Sequence, residues 1–306
     1  MAYLSVEFNK GIRMTEQQLD RLRNQSPSSE LEQKGYCHLP GFLSVARLEQ
    51  LENAFQQLAA QANRILSDIA QQQLSYAEYY QQGKARFIAV PELANPTQTC
   101  RFEYINASSE YFRDKLIPWC AAEIERQLGL KVSLFKDKCN LKSPGGGAFT
   151  AHQDIPAYID FGPKLHITAA VFLDEATAEN GALEMAENFM AVQGGEGVEW
   201  VNTVLGSYPL LATYQGGSDN GRILHQLEQQ LSWKAVYAKA GDVILFHSYI
   251  PHRSAVNASA TTRRAFFFTF NLAEEGDLYE SYYQSKRADF GHLRFHVATP
   301  TAHGAM

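Results

Sequence analysis

His152 and Asp154, separated by Gln153, are the residues of this 306-residue chain best placed to do chemistry. In an extended segment, residues two apart share one face of a strand. An imidazole nitrogen would then stand beside a carboxylate oxygen. Those are two of the three protein ligands in the two-histidine, one-carboxylate site of non-haem Fe(II) oxygenases. An H-x-D pattern alone is common, and a second stretch gives it meaning. Gly241-Asp-Val-Ile-Leu-Phe-His-Ser-Tyr-Ile-Pro-His252-Arg-Ser254 offers His252 as a third ligand, and Arg263 follows eleven residues later as a cationic partner.

The rest of the chain must position these groups. With 45% hydrophobic residues it can bury a substantial core. A formal net charge of -6, with no basic run longer than Arg263-Arg264, argues against nucleic acid as a partner. Cys37, Cys100, Cys120 and Cys139 are far apart and form no C-x-x-C, which suits a reducing cytoplasm rather than a disulfide framework or a zinc knuckle. Met1 is followed by Ala-Tyr-Leu-Ser-Val-Glu-Phe, not by a charged-then-apolar signal. No apolar run approaches the roughly 18 residues of a membrane span. A soluble cytoplasmic protein with no membrane partner is expected.

Residues 1–32 read as an N-terminal arm with one helical candidate from Thr15 to Asn24. Gly35 to Leu43 predicts a short strand broken by a Pro40-Gly41 turn, and Ser44 predicts a helix N-cap. Leu48, Leu51, Phe55, Leu58, Ala62, Ile65 and Ile69 then recur at spacings of three and four, one apolar stripe of a long core helix. A second helix is expected from Glu110 to Leu128, with Phe112, Leu116, Trp119, Cys120 and Ile124 on one side. From Lys131 the pattern turns to strands. Val132, Leu134 and Leu141 flank Lys136, Lys138 and Asn140, which are expected on the opposite face. Pro144-Gly-Gly-Gly147 predicts a sharp turn, Leu165 to Leu173 a buried strand, and Glu179-Asn-Gly181 a tight hairpin turn. Trp233–Ala238, Gly241–Ser248 and Arg264–Leu272 supply three more strands. Helices followed by many short strands predict an α+β protein whose β part is a sandwich or barrel, and a jelly roll fits. Residues 187–232 are too long and glycine-rich for an ordinary connection and read as an active-site lid.

Together these residues resemble a known family. Gly35-Tyr, Pro144-Gly-Gly-Gly before His152-Gln-Asp-x-Pro-Ala-Tyr158, Glu179-Asn-Gly-Ala-Leu-Glu184, and Gly241-Asp-Val with Pro251-His-Arg-Ser254 and Arg263-Arg-Ala265 look like the phytanoyl-CoA dioxygenase family of Fe(II)/2-oxoglutarate oxygenases. The likeness runs from about 33 to 290 and is closest to the bacterial branch that hydroxylates small polar metabolites. It implies a double-stranded β-helix (jelly roll) core flanked by N-terminal helices, in a single oxygenase domain over 1–306 with a C-terminal cap at 276–306. It implies His152, Asp154 and His252 as ligands of Fe(II), and Arg263 on the distal carboxylate of the cosubstrate 2-oxoglutarate, assisted by Ser254, Gln153 and Thr168. Arginine's planar fork meets a carboxylate with two parallel charge-assisted bonds, which lysine cannot reproduce. Related halogenases have Gly or Ala where Asp154 stands, so the aspartate favours hydroxylation.

Other residues carry plainer expectations. His247 reads as a packed core residue, His166 as strand filler, and His225, His292, His296 and His303 as loop or tail. Arg264 should alternate to the face opposite Arg263. Tyr282 to Arg287 reads as a solvated basic face, with closure over an anionic substrate as the alternative. The expected activity is hydroxylation of a small polar metabolite in bacterial secondary metabolism, with O2 and 2-oxoglutarate consumed and succinate and CO2 released. An organophosphonate hydroxylase is the alternative within the class, and a metal-binding jelly-roll sensor the alternative outside it.

Overall fold

The computed structural model describes residues 29–92, 95–192 and 198–290; the helix expected from Thr15 to Asn24, and His292, His296 and His303, lie outside them. A short helix α1 (Glu30–Lys34) and strand β1 (Tyr36–Leu39) lead through the Pro40-Gly41 turn to Ser44. The Ser44 hydroxyl accepts a hydrogen bond from the Arg47 N–H and caps the long helix α2 (Val45–Gln72). All of the expected stripe is buried except Leu48, which is partly covered. A helix α3 (Tyr76–Gln81) follows.

The second expected helix has a different start. Phe112–Leu116 forms a π-helical turn, with the Ile117 N–H reaching back five residues to the Phe112 carbonyl, before α4 (Ile117–Leu128) runs regularly. Pro118 explains it, since proline lacks the N–H of an α-helical bond and crowds the preceding turn.

Two antiparallel sheets hold all the described strands except β8 (Val198–Thr203) and β9 (Gly206–Leu211), which pair with each other. The larger runs β1, β11 (Val243–His247), β6 (His166–Phe172), β13 (Arg263–Leu272), β4 (Val132–Lys142), β3 (Thr99–Glu103), β2 (Ile88–Pro91). The smaller runs β10 (Trp233–Val236), β7 (Leu183–Ala186), β12 (His252–Ser254), β5 (Phe149–His152). The short strands β2 and β3 were not foreseen, while β12 carries His252 on a strand as the jelly-roll reading expects. Glu179–Gly181 does turn tightly, but β6 before it and β7 after it lie in different sheets, so it makes no hairpin between paired strands.

Residues directly opposite on paired strands share a face. On one face of the larger sheet Phe266 and Phe268 meet Phe112, with ring centroids 4.8 and 6.1 Å away, and Phe55 of α2 packs 6.3 Å from Phe266. That apolar face is covered by helices. The other face carries Lys136 opposite Thr269, Lys138 opposite Phe267, Asn140 opposite Ala265 and Lys142 opposite Arg263. Strict alternation from Val132 and Leu134 would have put those lysines among the helices. A bulge at Phe135, where the register steps from Phe270↔Leu134 to Thr269↔Lys136, reverses the parity and turns them toward the smaller sheet.

Arg264 does point the other way from Arg263. It makes a two-pronged contact with Asp174, Nε to Oδ2 at 2.8 Å and Nη2 to Oδ1 at 2.7 Å, and reaches Glu52 of α2 at 2.8 Å. Arg264→Ala is expected to lower stability by about 2 kcal/mol, read as a lower denaturation midpoint, with anion binding inside the sheets preserved.

Residues 187–232 contain the hairpin β8 (Val198–Thr203) and β9 (Gly206–Leu211) and a helical turn α5 (His225–Glu228). Tyr208, Leu211, Ile223 and Leu227 of this segment are buried, so it contributes to the core it was not expected to join. The solvated face expected at Tyr282–Arg287 is also corrected. In α6 (Tyr279–Ala288), Tyr282, Tyr283 and Lys286 are buried, and the Lys286 ammonium meets both Glu103 carboxylate oxygens at 2.7 Å. No described helix is long and apolar enough to cross a membrane.

Candidate metal centre and anion pocket

His152 and His252 are directly opposite each other on the paired strands β5 and β12, which sets their rings 4.2 Å apart. Asp154 arrives differently from the expected strand alternation. The strand ends at His152, and Asp154 is helical in backbone (φ -77, ψ -31), held by its N–H on the Ser248 carbonyl at the head of a tight turn. The turn folds its carboxylate back, 3.8 Å from His152 Nε2 and 4.0 Å from His252 Nε2. Ligand atoms of the three lie within 4.8 Å of one another.

The protonation pattern suits a cation. His152 Nδ1 is 2.7 Å from the Thr150 carbonyl and His252 Nδ1 3.1 Å from the Ile250 carbonyl. A carbonyl only accepts, so each Nδ1 carries the proton and each Nε2 offers a lone pair. Burial, and then the neighbouring His252, pushes His152 down to about 3; burial lowers His252 too. Asp154 is held below the usual carboxylate range: burial opposes this, but His252, Lys138 and His152 outweigh it. Two neutral imidazoles and a carboxylate with ligand atoms within 4.8 Å of one another fit a divalent first-row ion.

Beside this centre is a pair of buried cations. Arg263 is 2% and Lys142 4% exposed, and they are directly opposite on β13 and β4. Like charges so placed repel. Arg263 donates to the Gly181 carbonyl from Nη1, while its Nε has no hydrogen-bond partner among the described residues. Lys142 donates to Ser254 Oγ at 2.8 Å and to the Ala255 carbonyl. Gly181, at φ +74, closes over them; a Cβ there would meet the Ala255 carbonyl and the Lys142 ammonium. Among the described residues neither cation has an ion-pair partner, so the arrangement is one that a bound carboxylate completes.

Burial, then Arg263, pushes Lys142 down to about 7, and burial lowers Arg263 to about 10. A bound anion favours the ammonium form of Lys142. Anion affinity should therefore be full below about pH 7 and weaken above it, approaching tenfold per pH unit. In Lys142→Met the affinity should be lower and flat across the same range. A wild-type titration equally tight at pH 6.5 and 8.5 would contradict this.

Of the remaining expected site residues, Ser254 lies at the pocket through Lys142, and Thr168 on the same inner face, its hydroxyl 2.9 Å from that of Thr269. Gln153 is turned away. Its amide donates to the Pro209 and Tyr249 carbonyls (2.8 and 2.6 Å) and accepts from the Leu211 N–H, clamping β9 beside the centre. His247 packs as expected, against Phe189, Tyr208 and Tyr249, and fills the space that a side chain at Gly35 would need. Lys142 was missed, although the alternation of Lys136, Lys138 and Asn140 reaches it in one more step. His166, expected as strand filler, lies on the inner face, and among the described residues neither of its ring nitrogens has a hydrogen-bond partner.

The phytanoyl-CoA dioxygenase (PhyH) family profile matches residues 31–186 and 216–265, which include His152, Asp154, His252 and Arg263 and leave out the β8–β9 hairpin. The chain is 31% identical to the methylphosphonate hydroxylase of Gimesia maris over 284 residues, 92% of this chain and 89% of that one. It is 29% identical to a 2-aminoethylphosphonate dioxygenase from the uncultured bacterium HF130_AEPn_1 over 273 residues, 87% of this chain and 88% of the other. In fold it resembles EctD from S. alaskensis, solved with 2-oxoglutarate and 5-hydroxyectoine, with a TM-score of 0.57 at 19% identity over 88% of this chain and 80% of that one. The chain belongs to the phytanoyl-CoA dioxygenase family of Fe(II)- and 2-oxoglutarate-dependent dioxygenases.

Proposed function

We propose that the chain hydroxylates a C–H bond of a small organophosphonate, using Fe(II) at His152, Asp154 and His252 and 2-oxoglutarate held by Arg263 and Lys142. The observation that carries this is the union of a triad within 4.8 Å with a buried, uncompensated cation pair reached through Ser254. A sensor needs the first and has no use for the second. In this reading the two facing antiparallel sheets are a double-stranded β-helix, residues 187–232 are a lid fastened by Gln153, and α6 belongs to a C-terminal cap.

Bound Fe(II) supplies the activation of O2, with one oxygen atom entering the substrate C–H bond and the other the succinate formed, with CO2, from 2-oxoglutarate. The residues do the rest. His152, Asp154 and His252 would hold the ion with three protein ligands and leave its remaining positions to cosubstrate and O2. Arg263 and Lys142 fix the far end of the cosubstrate and so its orientation. The side chains that converge on Glu103 and Asp154 from this sheet and α6 are cationic, namely Arg101, Lys136, Lys138 and Lys286. Such an interior favours a second anion besides the cosubstrate, and the phosphonate names of two relatives agree. This support is greater than that for natural-product tailoring.

The test is succinate formation from 2-oxoglutarate with Fe(II) and O2 against methylphosphonate and 2-aminoethylphosphonate. Succinate and hydroxylated product should appear in equal amounts with at least one of them. Succinate no higher than in the substrate-free control for every phosphonate offered would contradict the substrate class.

A further inference from the structure

His166 is fully buried, and among the described residues neither ring nitrogen has a hydrogen-bond partner. A buried imidazole in that condition forgoes hydrogen bonds it had in water, and such groups commonly mark a missing ligand. Its place is defined by backbone bonds. The Ser248 carbonyl accepts from the Asp154 N–H, and the Ser248 N–H donates to the His166 carbonyl, so His166 is one residue's breadth from Asp154. Its ring lies 4.9 Å from that of Tyr158, and the Lys136 ammonium is 5.1 Å from the same Tyr158 ring. Lys136 is opposite Thr269, which is opposite Thr168, the next inner-face position of β6 after His166.

This cluster is separate from the Arg263–Lys142 pocket. Lys136 and Lys142 are six residues apart on β4, about 20 Å along an extended strand. One keto acid of five carbons cannot serve both ends. Lys136 meets the Tyr282 phenol and faces Glu103 and Asp154 at longer range, with no carboxylate in ion-pair contact among the described residues. A tetrahedral oxyanion offers several acceptors to an ammonium, an imidazole N–H and a phenol at once.

We propose that His166, with Lys136 and Tyr158, holds the tetrahedral oxyanion head of the substrate, a phosphonate or a phosphate monoester, beside Asp154. This rests on the oxygenase reading for its catalytic meaning, and its binding test does not need iron. Methylphosphonate and methyl phosphate are titrated into the metal-free protein, with phosphorus NMR line broadening as readout. They are then titrated into the anaerobic Fe(II)–2-oxoglutarate form, following the visible charge-transfer band. At least one anion should bind the wild type saturably in both forms. His166→Phe and Lys136→Met should each weaken it about tenfold to a hundredfold, and Tyr158→Phe less. The 2-oxoglutarate titration of each variant, measured without the phosphorus probe, should stay within about threefold of wild type, which shows that the fold and metal centre persist. Whichever anion raises succinate in air identifies the source. Equal affinities in wild type and in both variants, or no binding of either anion to wild type, overturns the head-group site. If the wild type binds the anion but gives no band with 2-oxoglutarate, the oxygenase reading falls and the anion site stands.

Discussion

His252→Ala abolishes turnover and weakens Fe(II) binding by more than about a hundredfold, since even outer partners of metal ligands are worth 10- to 100-fold. His152→Ala does the same. The two rings oppose each other on β5 and β12, and each is oriented by a carbonyl on its Nδ1, so neither can replace the other. His247→Ala is the control. It loses packing against Tyr208 and Phe189 and should be less stable, yet it should still bind one iron. Iron retained by His252→Ala and lost by His247→Ala would reverse the assignment.

Arg263→Ala comes next in size. Breaking a buried charge pair typically costs about 3–5 kcal/mol, and with Lys142 still in place the lower end applies, so 2-oxoglutarate affinity should fall by roughly 10² while iron binding survives. Lys142 then has no guanidinium beside it. Its proton should be held to higher pH, and the alkaline loss of cosubstrate affinity should move upward with it. Arg264→Ala, one residue away on the helix-covered face, should leave both quantities near wild type. A large loss for Arg264→Ala alone would move the anchor by one residue.

The triad could be read from residue types and order because a metal constrains both. The route to it could not. His152 and Asp154 share a face through a turn at Asp154, and a pattern of two residues has no way to distinguish that turn from a strand. Bringing His252 opposite His152 depends on β12, a three-residue strand too short to show alternation. The long helix was legible in full, since its stripe repeats over many turns and Ser44 marks its start. Its partner was legible in extent, whereas the π-turn before Pro118 leaves no mark in the apolar spacing.

What escaped notice is mostly polar and buried. Lys142 continues the series of Lys136 and Lys138, but a bulge at Phe135 decides which face that series takes. His166 sits between Leu165 and Ile167, where an imidazole reads as filler until its two unpartnered nitrogens are seen. Tyr282 and Lys286 look like a wet helix face by composition; Glu103, far away in sequence, draws Lys286 inside. Burial of a charge depends on its partner, and partners at long range leave no local trace.

One titration bears most directly on the whole assignment. The purified chain is loaded anaerobically with Fe(II), and 2-oxoglutarate is added while the visible spectrum is followed. A keto acid chelated at His152, Asp154 and His252, with its far carboxylate on Arg263 and Lys142, should give a saturable charge-transfer band at one equivalent per chain. A full equivalent of bound iron with no such band at any 2-oxoglutarate concentration would contradict it and leave a protein that only holds a metal.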